Sequence, residues 1–195
     1  MADLITLAKY KEFEGIDSTT NDLKFQTIIP AVSQLVKTYC ANSFVDFFST
    51  NKTETFTLNW NTHVVQLTES PINSIVSVKE RQSYSGTYTT LTTSSFEYYL
   101  DYSTDSIIRT DSSGNPKNFP KGVGAVEVVY TAGYSTIPND LMLAVVDLIT
   151  YYFKKEHKQR RTLGGATLDN PGTSSLDNGG LPDHIKRVLD MYKNF

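Results

Sequence analysis

One stretch constrains this chain more than any other: Gly124 to Glu156, GAVEVVYTAGYSTIPNDLMLAVVDLITYYFKKE. Ala125-Val126-Glu127-Val128-Val129-Tyr130 is a β-branched run of strand length. Gly133 then supplies backbone freedom for a turn. Pro138 stands where a helix starts, since its fixed φ suits a first helical turn and its missing N–H would be unpaired there anyway. Asn139 and Asp140 set polar and negative groups at the positive end of the helix dipole. Leu141, Ala144, Val145, Leu148, Ile149, Tyr152 and Phe153 recur at spacings of three and four and so share a face. Leu143, Val146, Thr150 and Tyr151 lie on the other side and are also mostly apolar. A helix apolar nearly all round is covered on more than one side. The cover is either the rest of its own domain or a neighbouring subunit.

Upstream, two helices are expected. Ala2–Phe13 carries Leu4, Leu7, Ala8 and Phe13 as apolar marks. After a break at Glu14-Gly15-Ile16-Asp17, Ser18, Thr19 and Thr20 offer caps for a second helix running to about Ser43. Its stripe is Phe25, Ile28, Val32, Leu35, Val36, Tyr39 and Cys40, and it continues in phase across Pro30, which predicts a kink rather than a break. From Phe44 to Tyr130 the period changes to two. Strands are expected at Thr53–Trp60, Val64–Leu67, Ile72–Glu80, Phe96–Leu100, Ser106–Arg109 and Ala125–Tyr130, with a hairpin tip at Ser83–Tyr88. Short polar connections favour antiparallel pairing.

Beyond the long helix the basic run Lys154, Lys155, His157, Lys158, Arg160 and Arg161 complements the helix dipole, or meets an acidic partner or DNA. Residues 158–180, rich in Gly, Ser, Asn, Asp and Thr, are expected to form a long flexible loop. Leu181-Pro182-Asp183 opens a last helix with the stripe Leu181, Ile185, Val188, Leu189 and Tyr192. That helix is too short to stand alone, so it docks on its own domain, a neighbour or another protein. The fold class is therefore α+β: a bundle of about four helices (1–46 and 132–157) with an inserted antiparallel β-sheet domain (47–131), the loop 158–180 and a docking helix 181–195.

The sequence offers little chemistry. A net charge of −3 argues against nucleic-acid binding by bulk charge. The single cysteine, Cys40, reads as a core residue and excludes an intramolecular disulfide. His63, His157 and His184 have no His or Cys partner at zinc-ligand spacing. Asp111-Ser-Ser-Gly-Asn resembles a calcium loop only until its closing position, which is Gly122 rather than a glutamate. No phosphate-cradling glycine loop, nucleophile elbow, secretion signal or membrane-spanning run is visible. No metal, cofactor or catalytic residue is expected. Tyr84, Tyr88, Tyr98, Tyr99 and Tyr102 read either as ordinary strand aromatics or as a binding platform.

Three segments, ITLAKYKEFEGID, QLTESPINSIVSV and VEVVYTAGYSTIPNDLMLAVVDLITYYFKKE, together resemble the head–tail connector (head-completion adaptor) proteins of tailed bacteriophages. The most specific match is the junction Tyr-x-Ala-Gly-Tyr-x-x-Ile/Val-Pro, here Tyr130, Ala132, Gly133, Tyr134, Ile137 and Pro138. The resemblance spans residues 4 to about 157 and weakens beyond. It implies a structural protein of the virion neck, assembled in the host cytoplasm. Copies would form a ring, commonly of twelve, beneath the portal protein, extend the DNA channel, and present a surface to a stopper or tail-completion protein. Viral DNA would pass without sequence-specific binding, which an acidic chain permits. On this reading Leu143, Val146 and Tyr151 meet a neighbouring subunit. Leu181, Ile185, Val188, Leu189 and Tyr192, with Arg160 and Arg161, bind a partner. The alternatives are another neck or tail-completion protein, or a β-rich binding module of the virion using its tyrosine face.

Overall fold

The computed structural model describes residues 2–155, 161–163, 166–168 and 181–193. They divide into two compact units, one made of Met1–Asn42 with Thr136–Phe195, the other of Ser43–Ser135.

In the first unit, α1 (Leu7–Glu14) starts later than its apolar marks suggest, because Thr6 is the residue that caps it, accepting the Lys9 N–H at 3.2 Å. Gly15 closes the helix at φ 64°. Helix α2 (Asp22–Cys40) passes through Pro30 without ending. Its N-cap, Asn21, makes no side-chain cap bond, and Ser18 bonds to Thr20 instead of capping the helix. The buried face of α2 is Phe25, Ile29, Val32, Val36 and Cys40, so Ile29 takes the place expected of Ile28. Helix α3 (Asn139–Phe153) follows Pro138, which is its cap rather than its first residue. Helix α4 (Asp183–Asp190) packs on both α3 and α2. Tyr10, Phe25 and Phe153 stack in series, with ring centroids 4.9 and 4.6 Å apart. The Tyr10 hydroxyl lies 2.9 Å from Thr150 Oγ1. Within the stretch expected to be a loop, the described residues form a pair of short antiparallel strands, β8 (Arg161–Leu163) and β9 (Ala166–Leu168).

The second unit holds seven strands in two antiparallel sheets rather than one. β1 (Lys52–Leu58), β7 (Gly122–Ala132), β3 (Ile72–Glu80) and β4 (Thr89–Leu91) pair in that order. β2 (Val64–Gln66), β6 (Ser106–Arg109) and β5 (Tyr98–Asp101) make the other sheet. One core serves both: Leu58, Val65, Ile72, Val78, Ile107, Val126, Val128 and Tyr130 are among its members. β7 is central because its alternation from Val126 to Ala132 points every second side chain inward.

Charged residues pin this unit from inside. Arg109 on β6 is 3% exposed and grips Glu80 of β3 through Nε and Nη2, both at 2.9 Å. Its Nη1 donates to the carbonyls of Glu97 and Thr110, each at 2.6 Å. A second network joins Lys52, Glu54, Glu69 and Tyr130. Lys52 Nζ reaches Glu54 at 2.9 Å and Glu69 at 2.8 Å, and the Tyr130 hydroxyl donates to Glu54 at 2.7 Å. Thr68 Oγ1 also donates to Glu54.

Candidate functional site

The chain enters and leaves the β unit through two neighbouring segments. The Tyr134 N–H donates to the Phe44 carbonyl at 2.6 Å, and the Ala132 N–H to the Phe47 carbonyl at 3.0 Å. Between them sits Gly133 at φ 95°, its N–H on the Pro71 carbonyl and its own carbonyl accepting from Asn73 Nδ2. A Cβ here would stand 2.0 Å from the Phe44 oxygen, so only glycine fits. Glu69 anchors the same region by accepting from both the backbone N–H and the hydroxyl of Ser43, at 2.8 and 2.9 Å. The Gly-Tyr junction read from the sequence is thus a packing requirement.

Titratable groups behave as structural parts. Burial works to raise the Glu54 carboxyl, but bonds from Thr68, Tyr130 and Lys52 outweigh it and hold Glu54 below its ordinary value. Burial, with Glu54 beside it, pushes the Tyr130 phenol up. Burial also pushes the Cys40 thiol up to about 12, which removes it as a nucleophile at neutral pH. Among the described residues no group of three or more His, Cys, Asp or Glu is placed to hold a metal. His63 and His184 are exposed, and His157 lies outside the described residues.

The described surface also carries exposed apolar and aromatic side chains. On α2 no charged residue occurs from Phe25 to Val36. There Thr27, Ile28, Ala31, Val32 and Leu35 line, with Tyr152 of α3, an apolar depression of about 310 Å³. Leu143 stands out from α3, 48% exposed. The other two residues expected at a subunit interface do not: Val146 and Tyr151 are buried in the single chain. Of the two covers the sequence left open for this side of α3, the chain itself covers Val146 and Tyr151, while Leu143 is exposed. The stripe of α4 has the same outcome. Leu181, Ile185 and Leu189 are fully buried inside the subunit, and Val188 and Tyr192 are half-buried. Tyr39 donates to Asp190 and Tyr192 to Asp140, both at 2.6 Å, which fixes the C-terminal turn on its own unit. Of the two arginines, Arg160 lies outside the described residues and Arg161 is described as backbone of β8. In the β unit, Tyr84, Tyr99 and Tyr102 are exposed. Tyr98 packs against the core, and Tyr88 bonds the Gly124 carbonyl at 2.8 Å with its ring against Arg81.

A family model described as head completion protein matches residues 3–195. The chain belongs to the head completion protein family. The resemblance carried by the Tyr130–Pro138 junction is borne out, and the family match extends beyond residue 157 through the C-terminal helix. A head completion protein of Escherichia phage T5 is 35% identical over 71 residues, 36% of this chain and 39% of that protein. The aligned stretch is thus well under half the length of that relative. A chain from the virion of a native gene transfer agent particle superposes with a TM-score of 0.62 at 15% identity, covering 98% of this chain and 90% of that one. A chain from the neck of the native gene transfer agent particle, computed with C12 symmetry, gives 0.58 at 15% identity, covering 100% and 96%. The chain shares its fold with these two gene transfer agent chains.

The sequence reading missed Glu69, Glu80 and Arg109 as buried anchors. The signal for Arg109 was its place in an apolar strand, Ser106-Ile107-Ile108-Arg109, with nothing nearby to say which carboxylate it meets.

Proposed function

We propose that this chain is a ring-forming head–tail connector of a tailed phage, a closed ring of twelve copies beneath the portal. It extends the DNA channel and provides the seat for the next neck or tail protein. The observation that carries the reading is the head completion family match across residues 3–195. The fold shared with a neck chain of twelvefold symmetry supports the ring. The uncharged outer side of α2, its apolar depression and the protruding Leu143 suit contacts with a neighbouring copy, since charge is depleted at the centre of interfaces. The basic run through Arg160 and Arg161, with the half-buried edge of α4 at Val188 and Tyr192, suits the portal or stopper.

The test is electron microscopy of the purified protein, alone and mixed with portal-containing capsids that lack it. The expected result is a ring seated below the portal and recovery of tail joining. A protein that stays monomeric and leaves such capsids unjoined refutes the proposal.

A further inference from the structure

The three-stranded sheet has an outer face with a composition of its own. Its register sets Val64, Ile108 and Tyr99 in one row across β2, β6 and β5. The alternate row, Val65, Ile107 and Leu100, belongs to the core. Tyr99 is 60% exposed, and Phe96 and Tyr102, just beyond the two ends of β5, are each 65% exposed. β5 is also the edge of its sheet. Glu97 and Asp101 flank Tyr99 at two-residue spacing, about 7 Å to either side along the strand.

Charge selects the occupant. The unit Ser43–Ser135 contains six Lys and Arg against nine Asp and Glu, the whole of the chain's net −3, while the other unit is balanced at twelve against twelve. The β unit's Lys52, Lys79 and Arg109 are already paired with its glutamates. Among the described ion pairs none takes Glu97 or Asp101. Both stay ionised at neutral pH, Glu97 held low by the Thr92 N–H and, more weakly, by Arg109 and Lys117, and Asp101 by Ser103 and Thr104. Such a face repels phosphate and attracts ammonium groups, which find a carboxylate on either side of an exposed aromatic ring. The chain carries the complement itself. Lys154 and Lys155 are exposed at the C-terminal end of α3 and open its most basic stretch.

We propose that the outer face of β2, β6 and β5 receives the Lys154–Lys155 end of α3 from an adjacent copy of this chain. This rests on the ring reading above. It makes the contact between copies heterologous, one patch giving and a different patch receiving, as a closed ring of many copies requires.

Cysteine pairing tests it in the full-length protein. Tyr99→Cys and Lys155→Cys together are expected to give a ladder of disulfide-linked oligomers on mild oxidation, and neither alone does. The native Cys40 is fully buried and does not compete. Independently, K154E/K155E is expected to raise the concentration for half-assembly about tenfold, and added salt to weaken the unsubstituted ring. Circular dichroism of the variants guards against misfolding. If the unsubstituted protein forms rings while the cysteine pair stays unlinked and K154E/K155E assembles normally, the docking is overturned and the ring stands. Variants that keep the ring but lose portal binding overturn it in favour of a different acidic–basic partnership. If no ring forms at all, the ring reading fails and takes this contact with it.

Discussion

Replacing Arg109 by methionine removes four hydrogen bonds at once from the interior of the β unit. Two of them go to Glu80, whose side chain is 13% exposed and would be left as a buried carboxylate without a counter-charge. Breaking a buried pair by removing one partner costs about 3–5 kcal/mol. The Glu97 and Thr110 carbonyls lose a donor as well, at about 1 kcal/mol each where nothing replaces it. A loss of about 4 kcal/mol is expected for the single variant. E80L/R109M removes both charges and fills the space with apolar atoms, so it is expected to cost only about 1–2 kcal/mol. Trp60 is the sole tryptophan and lies in the same unit, so its fluorescence during urea unfolding reads this unit directly. An R109M loss under about 1 kcal/mol, or a double variant no better than the single one, would refute the reasoning that a lone charge is the main cost.

Gly133→Ala puts a Cβ against the Phe44 oxygen at positive φ, and roughly 3 kcal/mol of destabilisation in the same urea assay is expected, with Ala132→Gly as a milder comparison. Leu189→Ala empties a fully buried position of α4; a loss of about 2–5 kcal/mol by circular dichroism melting is expected, and an unchanged melt would mean α4 does not dock on its own unit. Glu54 has a folded pKa below its unfolded value of 4.5, so its stabilisation is present above that value and disappears as pH falls through the folded one. Glu54→Gln therefore loses less stability than the unsubstituted protein between about pH 5 and pH 3; equal acid limbs would show that Glu54 does not titrate in this way.

The pieces legible in the sequence were those governed by local rules. β7 and α3 carry their period in adjacent residues, and Gly133 and Pro138 mark the turn between them. The helical face of α2 was shifted by one position at Ile28, because propensity and spacing do not say which side of a wide apolar stripe meets the neighbour. The seven strands form two sheets joined by contacts such as Arg109 with Glu80, 29 residues apart, and no local pattern encodes a pairing at that separation. The same blindness affected the proposed contact residues. Leu181, Ile185 and Leu189 form a clear stripe, and a stripe looks the same whether its cover is the same chain or another. Val146 and Tyr151, expected at a subunit contact, are likewise already buried in the single chain.

The hydrogen-bonded segments at Phe44–Phe47 and Ala132–Tyr134 have a consequence for how the β unit is carried by the chain. Because its entry and exit segments are hydrogen-bonded to each other, the β unit's two chain ends stay side by side, which is the condition under which a module tolerates being inserted within another chain.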